Sequence, residues 1–297
     1  MQTHTRRDFL KTAGKLAALF GVGAGAVPRM ASAMDDIYQG KAPVLWLQGL
    51  NCSGCSVSLL NGELIQPLAL LTKYISLKFH QSLSTTQGQQ ASTTVNETIA
   101  RGDYVLVVEG AVPLGIPDAC TFAGEDFKDL LDRAARAASS VVAVGACSSF
   151  GGIPSAPPNP TGAVGVRDFF SDQGITKHLI NVPGCPPHPD WMIGTIVHVL
   201  TNGIPALDEE LRPMAFFSER IHRRCPLRKF DDEANEIGAK GCMENIGCRG
   251  TSTFGDCPVR GWNGIQTNCI SSRGMCIGCT SPNFAKDGSF YQESTEE

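Results

Sequence analysis

Twelve cysteines in 297 residues set the chemistry that this sequence must explain. Cys52 and Cys55 form a C-S-G-C pair after the apolar run VLWLQGL, Cys147 ends the run VVAVGAC, and Cys185 follows LINVPG. Each stands at the carboxyl end of a segment that reads as a parallel strand, the edge at which open α/β sheets gather their ligands. Four soft thiolates converging there make a tetrahedral site suited to a 4Fe-4S cluster or to zinc. A lone C-x-x-C also marks redox dithiols and zinc knuckles, so the convergence carries the weight.

The second half holds two more sets. His222-x-x-Cys225, Cys242 and Cys248 give three thiols and an imidazole; Cys257, Cys269, Cys276 and Cys279 give four thiols ending in another C-x-x-C. His222 alone, among Arg220, Arg223, Arg224 and Arg228, would read as a solvated residue; its spacing from Cys225 makes it a ligand candidate. Eleven cysteines plus His222 fill three four-ligand sites and leave Cys120, which reads as a small buried apolar residue.

The elements that must position these groups follow from the apolar pattern. VLWLQGL, ISLKF, YVLVVEG, VVAVGAC and HLINVPG read as five strands, and the spacing predicts helices over 56–71, 92–100, 125–138, 162–170 and 188–202. Pro189 near the start of the last helix and Gly203 just past its end are its punctuation. The pattern predicts a flavodoxin-like, doubly wound parallel sheet over residues 34–203. From 204 to 297 the periodicity fades and seven of the cysteines crowd between Cys225 and Cys279. A segment with so little apolar core needs metal or disulfide staples, so a smaller, irregular cysteine-rich domain is expected there. The Pro/Gly-rich stretch 151–165 reads as a long surface loop.

Residues 1–33 read as a leader rather than as part of the fold. A basic start with Arg6-Arg7 precedes a short Ala/Gly/Leu stretch and Ala31-Ser32-Ala33, a small-x-small cleavage site; RRDFLK matches the twin-arginine pattern. The stretch is too short and too glycine-rich to span a membrane. Removing it, with Arg6, Arg7, Lys11, Lys15 and Arg29 against Asp8, takes the net charge from −4 to −8. That balance argues against a nucleic-acid partner. An oxidising compartment favours disulfides, but the twin-arginine route carries proteins already folded around cofactors, which makes cofactor ligation the better reading of the cysteines.

At WLQGLNCSGCSVSLLN, VEGAVP, GACSSFGG, PGCPPHP and the His/Cys run after residue 220, the sequence closely resembles the small subunit of nickel-iron hydrogenases. The resemblance covers nearly the whole chain. It implies a proximal 4Fe-4S cluster on Cys52, Cys55, Cys147 and Cys185, a distal one on His222, Cys225, Cys242 and Cys248, and a medial one on Cys257, Cys269, Cys276 and Cys279. Many members carry proline where Cys269 stands and hold a three-iron medial cluster. The fourth thiol here, like the run CSVSLLN, is similar to the nickel-iron-selenium branch. The extra cysteines of the oxygen-tolerant pattern are missing: Ser53 and Gly54 stand inside the first pair, and position 152 is glycine. The apolar helix that follows the last cluster in membrane-bound members does not appear before Glu297.

The resemblance further implies a large-subunit partner carrying the nickel-iron centre, a multihaem c-type cytochrome (cytochrome c3 type) as acceptor, and a periplasmic location. Three other readings compete. The cysteine count alone permits a zinc- or disulfide-stapled binding protein. An exported molybdenum enzyme's electron-transfer subunit would carry C-x2-C-x2-C-x3-C-P runs, which do not occur. The quinone-linked complex I subunit shares the first domain but lacks the cysteine-rich second half. If Arg6-Arg7 direct the twin-arginine route, replacing both by lysine leaves both subunits in the cytoplasm, measured by hydrogenase activity in fractionated cells. Normal periplasmic activity in that variant would remove the argument for prefolded export.

Overall fold

The computed structural model describes residues 6–21, 23–38, 43–229, 233–264 and 267–286. Five parallel strands, β1 (Pro43–Gln48), β2 (Ser76–His80), β3 (Val105–Glu109), β4 (Ser140–Val144) and β5 (Leu179–Val182), form one sheet in the order β2-β1-β3-β4-β5. This is the flavodoxin-like order, and its reversal falls between β1 and β3. Register is continuous across the centre: Val44 to Gln48 pair with Val105 to Glu109, and Val105 to Glu109 with Ser140 to Val144.

Strand residues alternate between two apolar layers, as the two-residue period of a strand requires. Val44, Trp46, Val105, Val107, Val142, Val144, Ile180 and Val182 face one layer. Leu45, Leu47, Leu106, Val108, Val141, Ala143 and Leu179 face the other. Each wholly buried side chain of this kind contributes roughly 1.5–3 kcal/mol relative to exposure.

The described helices are α1 (Arg6–Leu19), α2 (Val27–Tyr38), α3 (Gly54–Leu59), α4 (Gly88–Arg101), α5 (Phe127–Ala137), α6 (Ala146–Phe150), α7 (Val166–Asp172) and α8 (Pro189–Asn202), besides shorter turns. Residues of α4, α5 and α7 belong to the second layer; residues of α8 belong to the first. Asp126 caps α5, its carboxylate accepting from the Lys128 N–H at 3.1 Å.

Two expected helices differ from the sequence reading. The helix expected over 56–71 stops at Leu59, where the Asn61 and Gly62 N–H groups turn back to the Ser58 and Leu59 carbonyls; Gln66 before Pro67 lies outside the helical region, and the chain is helical again only from Pro67. The helix expected over 162–170 starts only at Val166, because Ala163–Val164 pairs as a short strand with Val112–Pro113.

Beyond α8 the chain runs mainly as short helical turns and loops, with small apolar clusters built partly from cysteines. Helices α1 and α2, which span most of the stretch that the sequence reading set apart as a leader, pack on α8. Asp231 and Asp232, which follow the basic run around His222, lie outside the described residues.

Candidate metal centres

The carboxyl edge of the sheet collects the first set. Cys52 follows β1, Cys55 lies in α3, Cys147 in α6 directly after β4, and Cys185 follows β5. Local turns aim them: the Asn51 carboxamide accepts from the Ser53 N–H at 2.6 Å, and the Ser58 hydroxyl donates to the Pro187 carbonyl at 2.7 Å, tying α3 to the Cys185 loop. Cys52 and Cys185 are exposed, while Cys55 and Cys147 are partly buried. Burial, the Glu109 carboxylate and then the other three sulfurs push the Cys55 thiol well up. Burial and the field of Cys185 push Cys147 up to about 12, against an N–H bond from Ile153 that favours the thiolate.

The other two candidate sets lie in the second half. His222, Cys225, Cys242 and Cys248 line one small cavity with Leu227, Met243, Ile270 and Met275. Ligand atoms of His222, Cys242 and the exposed Glu244 lie within 4.8 Å of one another. Burial raises the Cys248 thiol, with N–H bonds from Gly250 and Cys276 opposing it. Burial and the fields of Cys279, Asp256, Cys276 and Cys269 hold Cys257 well above the ordinary thiol range. Cys279 is raised by burial and by Cys276, and accepts a backbone N–H from Cys185; Cys276, raised to about 12 chiefly by burial, also feels Cys248. The Cys276 carbonyl accepts the Arg249 N–H at 2.8 Å beside Cys248, and Cys279 packs in a small cluster with Ala146 beside Cys147, so the four-thiol set of the second half lies between the other two. Cys120 stands apart, packed at the edge of the second core layer, its thiol raised by burial and by Asp126.

All twelve cysteines are free. Thiols whose charged forms burial and neighbouring sulfurs disfavour, Cys55, Cys147 and Cys185 in the first set, Cys248 beside His222, and Cys257, Cys276 and Cys279 in the four-thiol set, fit a bound cation or cluster, because a coordinating thiol is deprotonated outright. Glycines leave the space. A Cβ at Gly145, where φ is +95°, would lie 2.6 Å from Cys55 Sγ; one at Gly54 would lie 3.1 Å from Cys52 Sγ. Cβ atoms at Gly250 and Gly255 would stand 3.5 Å and 3.6 Å from Cys248 Sγ and Cys257 Sγ.

Sequence reasoning passed over Glu109, wholly buried at the end of β3 beside this set. Its carboxylate accepts from Trp46 Nε1–H at 3.1 Å, Gln48 Nε2–H at 2.9 Å, the Ser56 N–H at 3.2 Å and, by a short bond, the Ser56 hydroxyl. His80 joins through the same hydroxyl at 3.1 Å, and burial lowers its pKa to about 4. The sequence signals were an acid closing the apolar run VLVV and its place in the VEGAVP motif, to which no role was given.

His188 links the halves. Its Nε2–H donates to the Gly261 carbonyl at 2.7 Å, while Nδ1 accepts from the Asp190 N–H and caps α8. Trp191 Nε1–H donates to Asp256 at 2.7 Å, fixing the residue before Cys257.

A flavodoxin-like domain with thiols at its switch point, joined to a segment organised around two further donor sets, defines an iron-sulfur type of electron-transfer subunit. Residues 52–199 match the family described as NADH ubiquinone oxidoreductase, 20 Kd subunit, and residues 217–292 match the family described as the C-terminal part of the NiFe/NiFeSe hydrogenase small subunit. The chain is 40% identical to the periplasmic [NiFeSe] hydrogenase small subunit of Desulfomicrobium baculatum, over 94% of this chain and 96% of that one. It is 37% identical to the uptake hydrogenase small subunit of Azotobacter vinelandii, over 98% and 83%. The solved Desulfomicrobium baculatum [NiFeSe] hydrogenase superposes with a TM-score of 0.79, covering 85% of this chain and 99% of that one at 40% identity. The [NiFeSe] hydrogenase of Desulfovibrio vulgaris Hildenborough gives 0.77 at 36% identity, over 84% and 97%. The chain belongs to the nickel-iron and nickel-iron-selenium hydrogenase small subunits.

Gly145→Ala drives a methyl group onto Cys55 Sγ, so the purified protein is expected to lose one cluster's iron and part of its visible absorption. Gly124→Ala, at φ +85° with nothing within 4 Å, adds comparable backbone strain without a sulfur contact and should keep its iron. Equal iron loss in both variants would assign the effect to strain.

Proposed function

We propose that this chain relays electrons between a nickel-iron, or nickel-iron-selenium, site on a large-subunit partner and a c-type cytochrome of the cytochrome c3 type, in reversible hydrogen oxidation. In this reading residues 1–33 are a twin-arginine signal, 34–203 a flavodoxin-like domain with the proximal 4Fe-4S cluster, and 204–297 a domain with the medial and distal ones. Cys52, Cys55, Cys147 and Cys185 would hold the proximal cluster; Cys257, Cys269, Cys276 and Cys279 the medial; His222, Cys225, Cys242 and Cys248 the distal. The mature complex would work in the periplasm; among the described residues, no helix is long and apolar enough to cross a membrane.

The observation that supports this reading is the series of three donor sets, joined where Cys279 accepts the Cys185 N–H and where Cys276 feels Cys248. Bound clusters supply one-electron carriers whose potentials span roughly −700 to +450 mV with ligand type, charge and exposure. The chain's residues tune that range. N–H groups of Ile153, Gly250, Cys276, Gly278 and Cys185 bond ligand sulfurs and stabilise their negative charge, which favours the more reduced state. The Glu109 charge beside Cys55 acts in the opposite direction. His222 offers a neutral imidazole in place of a thiolate, which raises the potential of its site and suits an exit to solvent.

Four thiols in the medial set predict about twelve iron atoms per mature chain and no three-iron cluster. Cys269→Pro should create a three-iron EPR signal in the oxidised protein. An intense signal of that kind in the intact protein would remove Cys269 from the ligand set.

The exit carries mixed charge. Arg224 pairs with Glu219 at 2.6 Å and Arg220 stacks over Phe254, while Arg223 and Arg228 are exposed. Long-range steering follows the summed charge of −8, so the acceptor is expected to be basic. Its reduction rate should fall as ionic strength rises, because screening sets in beyond roughly 8 Å at physiological salt. In the intact heterodimer, His222→Ala should slow acceptor reduction by at least about tenfold while hydrogen-deuterium exchange, which needs only the large subunit, is little changed. Equal loss of both activities in a stable, fully metallated variant would overturn the exit role of His222.

A further inference from the structure

We propose that the leader, while still attached, is a tethered cover for the outer face of α8, and that the large subunit displaces it. The proposal rests on the export and partner readings above.

Helix α8 is apolar nearly all round: Trp191, Met192, Ile193, Ile196 and Val197 are each at most 1% exposed. Such a helix must be covered on every side. In the intact chain, part of that cover is α1 and α2. On α1, Ala13, Leu16, Ala17 and Phe20 recur at the i, i+3, i+4, i+7 spacing of one helix face, and the first three are almost fully buried. Gly194 makes the close approach: a Cβ there would lie 3.1 Å from Leu19 Cδ2 and 3.5 Å from the Phe20 ring. The Phe20 ring also lies 4.3 Å from that of His198 and 5.3 Å from that of Phe216. Lys11 and Lys15 point to solvent, so the leader seats its apolar face alone.

The small-x-small site lies on α2, with Ala31 buried and Ser32 exposed. Ala31 and Ser32 lie inside α2, with Met30 and Ala31 buried against the α8 layer. Peptidases take accessible, locally unfolded segments, so this helix has to leave α8 and unwind before it is cut. Removal of the leader then strips apolar cover from α8, and a large bare apolar patch on a mature protein marks a partner's seat. α3 packs beside α8 and exposes Val57, with Leu60 just past its end, extending the apolar surface toward the exposed Cys52 and Cys185. A large subunit receiving electrons at that set and covering α8 takes the place of the leader. Displacement would free the Arg6-Arg7 segment only once the partner is bound.

Hydrogen exchange on the purified full-length precursor tests this. Residues 13–20 should exchange at least about tenfold more slowly than in a Leu16→Asp, Phe20→Asp variant, whose mature sequence is unaltered. Adding the large subunit should bring the leader of the unaltered precursor to the variant's rate while 193–200 stay protected. Equal leader exchange in the two precursors would overturn the cover, and a leader still protected in the isolated heterodimer would overturn the displacement. A large subunit that binds only the variant would overturn the displacement while leaving the cover in place; one that binds neither would refute the partner reading. No translocation is involved, so a failed twin-arginine reading shows in cell fractionation and leaves the exchange pattern unchanged.

Discussion

Thiolates brought together in a low-dielectric interior repel one another and lose their hydration, so a set of four is unfavourable unless protons or a cation accompany it. Two candidate sets of this kind, and a third in which His222 stands in place of one thiol, shape this molecule. Burial dominates the raised pKa of Cys55, Cys147, Cys257, Cys276 and Cys279, and neighbouring sulfurs add to it. The second half, with few regular elements and only small apolar clusters, is arranged around those sulfurs. A core too small to hold its loops by hydrophobic packing gains most from metal binding, whose free energy becomes folding free energy.

The first half solves the same problem with a rigid sheet. Strand ends are fixed by the ladder, so thiols placed after β1, β4 and β5 converge with little ordering left to do. Glu109 adds a second demand, because a wholly buried carboxylate is tolerated only when hydrogen bonds satisfy it. Trp46, Gln48 and Ser56 do so from β1 and α3, so the network that holds the charge also positions the turn bearing Cys55. Leaving those donors unpaired by truncating the acid would cost about 1–3 kcal/mol each.

The halves are coupled by polar contacts at the root of α8. His188 caps that helix with one ring nitrogen and reaches Gly261 with the other, and Trp191 holds Asp256. These bonds reach the turn carrying Cys257 from the loop carrying Cys185. A relay needs its stations at fixed separation, and short buried hydrogen bonds between two elements supply that more rigidly than surface loops do.

The sequence by itself determined the five strands and the thiols at their ends, and its spacing grouped the remaining donors into two candidate sets. Alternating apolar runs and Cys spacing are local signals that survive without knowledge of the fold. VLWLQGL and VVAVGAC needed only their own residues to be read as strands, and His222 only its distance from Cys225. Tertiary structure decided what depends on contacts far apart in the chain. The order β2-β1-β3-β4-β5 is set by which strands pair, and the need for glycine at position 62 by Ile193 on another helix. The Glu109 network joins residues more than fifty positions apart. The central position of the Cys257, Cys269, Cys276 and Cys279 set depends on Cys279 meeting the Cys185 backbone, a contact with no trace in local spacing. The packing of residues 13–31 on α8 was equally illegible, because a short Ala/Leu-rich run reads alike whether it is free or docked on an apolar helix.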